Sequence, residues 1–171
     1  GSQPYFPLDD EAATPRFFKV LELNLQTQDL VVVCPPEYGQ QLVDSVLRHH
    51  GVAHFLFHPA HILKPTVADT LCSLVEYARA QGMEWWTNEQ IYQWEIQRRS
   101  VEAKSDSAST FTLNAPQPLR EATLLFLKPR PEARTIRIGN QPVPAKPRSV
   151  YGFDFEEVTL DLAGQVQVQI G

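Results

Sequence analysis

The hydrophobic pattern of this chain changes near residue 101, and that change limits the possible folds more than any other feature. Before it, short apolar runs alternate with stretches whose apolar residues recur every three or four positions, which predicts strands alternating with helices. Beyond a turn-rich stretch at 105–109, the pattern is strand-like throughout. We therefore predict a mixed fold: a partial (β/α)-barrel-like segment over residues 1–101 and a small antiparallel β-sandwich-like domain over 102–171.

The first part contains three predicted helices with recognisable ends. Thr87 followed by Gln90 is the sequence of a capping box, and it predicts a helix that extends to about Arg99. The other two predicted helices cover 37–50 and 66–82, with Gly51 and Gly82 as their C-terminal caps. The predicted strands of this part are 17–25, 30–34, 52–57 and 83–86, after a proline-containing extended arm over 3–16.

Six short strands are predicted in the second part. They cover 110–113, 122–127, 135–138, 150–155, 158–162 and 166–170. The dipeptides at 139–140 and 163–164 are predicted hairpin turns. Short strands at such regular spacing are typical of a sandwich.

The composition excludes some classes of protein. The chain has 15 basic and 20 acidic residues, and its net charge of −5 argues against a nucleic-acid binder. No apolar run is long enough to span a membrane. The two cysteines, Cys34 and Cys72, lack a CxxC spacing and are predicted to be buried free thiols, which leaves the cellular compartment open.

Three histidines fall within eight residues, at 54, 58 and 61. His54 and His58 have a spacing that chelates zinc on a helix, but on a predicted strand their rings are about 13 Å apart. His58 and His61 flank Pro59 and converge if the chain turns there. With no carboxylate or thiolate nearby in the sequence, we predict no metal or other cofactor in this chain.

His58 follows a predicted strand of the parallel type, and ligands gather at the carboxyl ends of such strands. Asp29 and His61 are predicted to lie at the same end and to contact a substrate. The alternatives are that His58 is only hydrogen-bonded at a strand end and that Asp29 only caps a loop.

Several segments together resemble a known family. They are the run Phe-Leu-Phe-His-Pro at 55–59, the helix at 71–82 with Tyr-Ala at 77–78, the run Gly-Met-Glu-Trp-Trp-Thr-Asn-Glu-Gln-Ile at 82–91, Trp94 with Arg-Arg at 98–99, and the strand and loop at 20–29. In this order and spacing they resemble the C-terminal part of a polysaccharide deacetylase barrel, the NodB-homology fold of carbohydrate esterase family 4. The resemblance covers residues 3–99.

The resemblance implies a hydrolase that removes acetyl groups from N-acetylated glycans. In that family a divalent metal is held by one aspartate and two histidines, a second aspartate is the general base, and a late histidine is the general acid. His58 matches the late histidine, and an imidazole can donate a proton to a departing amine near neutral pH.

The sequence departs from the family pattern at the metal site. Asp9 and Asp10 have the letters of the opening aspartate pair but lie in the proline-containing arm. The family's metal-binding His-x3-His lies well before the late histidine, and this sequence has none at such a position. We therefore expect a catalytically incomplete chain, with zinc or another divalent metal held in the parent enzyme by residues outside it. The alternative is a non-catalytic carbohydrate-binding or protein-interaction module.

Two further expectations concern partners. Aromatic faces bind pyranose rings, so Trp86 is a candidate sugar contact, with a core position as the alternative for it and for Trp85 and Trp94. A partial barrel exposes unpaired strand edges, which predicts a homodimer or another partner bound at such an edge.

Overall fold

The structure, a computed structural model, describes residues 3–127 and 135–171. The chain divides into two compact units, one ending at Trp86 and one beginning at Thr87. A mixed α/β architecture with a β-rich second part is confirmed, since the second unit holds a six-stranded sheet whose pairs are all antiparallel. The last helix belongs to this second unit, whereas the sequence assigned it to the first segment.

The first unit combines short strands with three helices. Its elements are β1 (Leu8–Asp9), β2 (Arg16–Phe17), β3 (Thr27–Gln28), α1 (Glu37–His49), β4 (Phe55–Leu56), α2 (Pro59–Ile62) and α3 (Pro65–Ala80). β1 and β2 pair antiparallel, so the predicted arm is partly in a sheet. β3 and β4 form a parallel pair. Parallel pairing is thus present, but this single pair does not establish a partial barrel.

Two helices of the first unit, α1 and α3, were predicted, whereas the short helix α2 was not. α1 ends one residue before the predicted limit, and the left-handed residue at its C-terminus is His50, with φ of 48°, rather than Gly51. α3 starts at Pro65 rather than being capped by Thr66. Proline suits this first helical position because it has no amide hydrogen to satisfy there.

The strand predictions of the first unit were wrong in extent or in kind. Of the strand predicted at 17–25 only Phe17 is in a strand, β2, and β3 lies beyond the predicted end. The strand predicted at 52–57 is reduced to β4, and residues 83–86 form no strand. The apolar run 30–34 is a turn, in which the amides of Val32 and Val33 donate to the carbonyl of Asp29 at 3.0 and 2.9 Å. These hydrogen bonds join residues three and four positions apart, as in a turn, whereas a strand bonds to a neighbouring strand.

A small core holds the first unit together. Its buried members are Leu30, Val43, Leu74 and Ala78, contributed by the 30–34 turn and by α1 and α3. Gly39 of α1 permits the close packing, because a Cβ at this position would lie 2.8 Å from Cδ1 of Leu30. The cysteine prediction was wrong for Cys72, which is exposed on α3, while Cys34 is half-buried; both are free.

The second unit begins with a helix and continues as a sheet. Its elements are α4 (Asn88–Arg99), β5 (Glu102–Ser105), β6 (Thr110–Leu127), β7 (Ile136–Ile138), β8 (Gln141–Val143), β9 (Lys146–Val150) and β10 (Phe153–Ile170). The strand order is β5-β6-β10-β7-β8, with β9 also on β10. The predicted capping box is confirmed, since Thr87 and Gln90 exchange both hydrogen bonds at the start of α4.

Two long strands replace four of the predicted short ones. Residues 110–113 and 122–127 are parts of β6, and residues 158–162 and 166–170 are parts of β10. The predicted turn at Ala163-Gly164 was wrong, because this dipeptide lies within β10 where its pairing with β6 shifts register. The turn at Gly139-Asn140 is confirmed between β7 and β8. The core of this unit comprises Leu113, Ala115, Leu119, Ile136, Val158, Leu162 and Val168.

Within the described ranges, no helix is both long enough and apolar enough to cross a membrane.

Candidate functional site

The parallel pair β3–β4 positions the candidate site. Thr27 pairs with Phe55 and Gln28 with Leu56, so both strands end at the same edge of this small sheet. The amide of Asp29 extends the ladder by donating to the carbonyl of Leu56 at 2.8 Å. Asp29 is therefore brought beside the residues that follow β4, far from it in sequence.

The backbone at Asp29 is held in an uncommon conformation. Asp29 has a φ of 40° and Val31 a φ of 78°. Aspartate tolerates the left-handed region, but a β-branched residue such as Val31 is a genuine outlier there. The bonds that the Asp29 carbonyl accepts, together with a 2.7 Å bond from the Val31 amide to the Cys34 carbonyl, maintain this turn. Strain of this kind clusters at functional sites.

The Asp29 carboxylate is fully buried and bonded at both oxygens. Oδ1 accepts the His58 amide at 2.7 Å, and Oδ2 contacts Nδ1 of His58 and, at 3.0 Å, Nδ1 of His61. Burial acts to raise the pKa of this carboxyl, but the hydrogen bond from the His58 amide and the contacts with the two imidazoles outweigh it and lower the pKa from 3.8 to about 2. Asp29 is therefore ionised at neutral pH.

Helix α2 brings the second histidine to the same carboxylate. His58 occupies the N-cap of α2, Pro59 is the first helical residue, and the His61 amide donates back to the His58 carbonyl at 2.9 Å. The two rings meet edge to face, with centroids 5.7 Å apart. The side chain of His58 is 47% exposed and that of His61 31% exposed, so one side of the cluster faces solvent.

Asp29, His58 and His61 form a candidate metal-binding group. Each offers one ligand atom, and these atoms lie within 4.8 Å of one another; it is the one such group of three among the residues that the structure describes. The sequence suggested that His58 and His61 converge if the chain turns at Pro59, and α2 provides that turn. The sequence did not identify Asp29 as a metal ligand, because Asp29 reaches the histidines only through the parallel pairing of β3 and β4.

The other candidates have separate surroundings. The His54 amide donates to Oε1 of Gln26 at 2.7 Å, and its ring faces the carbonyl of Leu23 at 3.4 Å. Trp86 donates from its indole to Glu84 at 2.6 Å and is 43% exposed, and Trp85 is 59% exposed. A core position is thus wrong for Trp85 and Trp86.

No protein family, curated protein or solved structure matches this chain.

Proposed function

We propose that this chain carries the proton-donor part of a glycan deacetylase active site, with His58 as the acid and Asp29 as the residue that positions it. The observation that carries the proposal is the contact of the buried Asp29 carboxylate with Nδ1 of a half-exposed His58. This contact occupies one ring nitrogen and leaves Nε2 for a substrate. Imidazole is well suited to donate a proton near neutral pH.

The arrangement suits the departure of an amine. Hydrolysis of an N-acetyl group breaks the bond between the carbonyl carbon and the sugar nitrogen, and that nitrogen leaves readily only when it gains a proton. Doubly protonated His58 gives its Nε2 proton to the nitrogen and becomes a neutral ring that keeps its Nδ1 proton on Asp29. The negative charge of Asp29 stabilises the charged ring before the transfer and fixes its orientation.

The residues at the metal-binding positions that the resemblance implies are not suited to bind a metal ion. Asp9, in β1, forms an ion pair with Arg16 at 3.1 Å, and the sequence has no His-x3-His well before His58, where the family has its metal-binding pair. The proposed function therefore does not depend on that metal. The proposal covers proton donation alone, with the groups that activate water supplied from outside this chain.

The substrate class rests on the resemblance and on exposed aromatic side chains. Trp85 and Trp86 are both exposed, and an exposed aromatic side chain is the type of residue that stacks on a sugar ring. Under the same proposal, β3 and β4 belong to the last strands of a (β/α)-barrel. N-acetylated glycans are the expected ligands.

The first test determines which ring nitrogen of neutral His58 carries the proton. In metal-free protein, nitrogen NMR of the imidazoles should show the Nδ1-protonated tautomer at His58, because Asp29 accepts that hydrogen. Asp29→Asn should abolish this preference, and His61→Ala should leave it intact. A predominant Nε2-protonated tautomer in the unaltered protein would refute the role of Asp29.

The second test concerns the substrate. Titration with N-acetylglucosamine oligosaccharides should shift the ring signals of His58, whereas the deacetylated oligosaccharides should shift them less. The same titration of His54→Ala is the control for a general effect of losing a histidine. Unchanged His58 signals at saturating sugar would refute the glycan assignment. Acetate release by this chain that is lost in His58→Ala would uphold the acid but refute the incomplete active site.

A second candidate is a non-catalytic glycan-binding module, and the exposure of Trp85 and Trp86 favours it. The two functions differ in their dependence on His58. A binding module should lose affinity for the oligosaccharide in Trp86→Ala and keep it in His58→Ala.

We also propose that the chain self-associates through an open strand edge. In the described part of the first unit, β3 and β4 form a sheet of only two strands, so each has an outer edge without a ladder partner. Sedimentation should show a dimer that dissociates on dilution. A single monomer species across all concentrations would contradict this.

A further inference from the structure

We propose that Asp29, His58 and His61 bind a divalent transition-metal ion of the zinc type. This site differs from the metal site implied by the resemblance, whose ligands lie at other motif positions. It also does not depend on the glycan assignment. The evidence is the geometry of three ligand atoms that the fold brings within 4.8 Å.

One atom of the cluster, Nδ1 of His61, is not accounted for by hydrogen bonding. Its Nδ1 is buried and lies 3.0 Å from Oδ2 of Asp29, yet it has no hydrogen-bond partner among the described residues. The distance would suit a hydrogen bond, so the carboxylate oxygen must lie off the direction of the ring N–H. A buried polar atom without a partner is costly, which points to a ligand that both atoms share.

A metal ion satisfies this arrangement. Zinc binds histidine nitrogen and carboxylate oxygen at about 2.0–2.2 Å, which places ligand atoms about 3–3.5 Å apart around one ion. The separation of Oδ2 from Nδ1 of His61 falls in this range. These two atoms are therefore already at the separation that one shared ion requires, and His58 lies within 4.8 Å of both.

The fold also supplies support behind the ligands and an opening in front of them. The second oxygen of Asp29 is fixed by the His58 amide, the kind of outer contact that orients a metal-binding carboxylate. On the other side the two imidazoles are partly exposed, so a water molecule or an external ligand has access to the fourth position.

The chemical types of the three ligands indicate which metals can bind. Two imidazoles and one carboxylate suit Zn²⁺, Co²⁺ or Fe²⁺, whereas Mg²⁺ and Ca²⁺ prefer oxygen ligands alone. A metal on Nδ1 of His58 replaces the proton that Asp29 accepts there. Metal occupancy and proton donation by His58 therefore exclude each other, and a bound ion would inhibit the proposed acid.

The test is a titration of the metal-free full chain with Zn²⁺, followed by competition with a chromophoric chelator and, with Co²⁺, by the absorption bands of the bound ion. The unaltered protein should bind one ion at this site. His61→Ala should weaken binding by more than about 100-fold, because loss of an outer contact alone costs 10–100-fold. His61→Gln, which retains more of the side-chain volume, should weaken it similarly.

Matched variants separate this proposal from the proton-donor function. His54→Ala removes a nearby histidine outside the cluster and should leave the affinity unchanged. His61→Ala should lose the metal while the His58 ring keeps its Nδ1 proton, so metal binding and the tautomer report on different proposals. Absence of binding, or equal affinities for His54→Ala and His61→Ala in variants with unchanged circular dichroism, would refute the metal site.

Discussion

Asp29 contacts His58 at two points of the same residue: one carboxylate oxygen accepts its backbone amide, and the other contacts its ring at Nδ1. The first contact fixes the start of α2, and the second fixes the ring that projects from it. A single buried side chain thus sets both the path of the chain after β4 and the orientation of the candidate acid.

The amide contact predicts a local change in hydrogen exchange. In Asp29→Ala the His58 amide loses its acceptor, so it should exchange faster than in the unaltered protein. The amide of residue 29 bonds to the Leu56 carbonyl and should stay slow if β3 and β4 remain paired. Equal exchange of the His58 amide in both proteins would show that Asp29 does not hold it.

The core residue next to Asp29 predicts a large loss of stability. Leu30 is fully buried, and Leu30→Ala should lower the free energy of unfolding of the first unit by about 2–5 kcal/mol through the cavity it leaves. Leu63 is 85% exposed, so Leu63→Ala should change it by less than about 0.5 kcal/mol. Urea unfolding measures both. Similar midpoints for the two variants would contradict the packing described for Leu30.

The contact between α1 and α3 predicts a dependence on alkaline pH. The Tyr77 hydroxyl donates to Oδ1 of Asp44 at 2.6 Å. This hydrogen bond, helped by burial and by the negative charge of Asp44, raises the pKa of Tyr77. Its stabilising effect is therefore complete below the unfolded pKa of about 10 and is lost as pH rises through the higher folded value.

Phenolate absorbance measures this titration, with Tyr77→Phe identifying the signal. Asp44→Asn removes the charge and should lower the pKa of Tyr77, whereas Asp69→Asn, an exposed change on α3, should not. A Tyr77 titration that is unaffected by Asp44→Asn would exclude the contact in solution.

The capping box of α4 predicts a smaller and local effect. Thr87→Ala should destabilise the second unit by about 1 kcal/mol, because the amide of Gln90 loses its acceptor at 3.2 Å. Thr87→Ser keeps the hydroxyl and should restore most of this loss. Unfolding followed by circular dichroism gives the magnitude, and fast exchange of the Gln90 amide confined to the alanine variant would identify the cause. Loss of equal size in Thr87→Ser would point away from the cap.

The sequence predicted those elements whose signals are local. Thr87 and Gln90 lie three residues apart and mark the start of α4, and the apolar spacing within α1 and α3 is read over neighbouring turns. Helical hydrogen bonds join residues four apart, so a short window of sequence contains most of what decides them.

The turn at 30–34 could not be predicted in the same way. Its β-branched run favours a strand, and Val31 adopts a conformation that such residues avoid. The pairing of Asp29 with the end of β4 and the burial of Leu30 outweigh this local preference, and both are contacts between distant parts of the chain.

The same limit applies to the candidate site. His58, Asp29 and His61 were predicted to share one end of the parallel strands, with His58 as the acid and the other two as separate substrate contacts. That the two histidines converge on the Asp29 carboxylate depends on the register of β3 against β4 and on the single helical turn that begins at Pro59. A shift of the register would separate Asp29 from both histidines without altering any local pattern.

The long pairing of β6 with β10 bears on the order in which the protein acquires its structure during synthesis. Thr110 is the partner of Gln169, so this pairing cannot be completed until almost the whole described sequence has emerged from the ribosome. The core of the unit that ends at Trp86 is formed by residues between 30 and 83. The residues of the aspartate–histidine cluster and of that core therefore leave the ribosome before β10 is available to pair with β6.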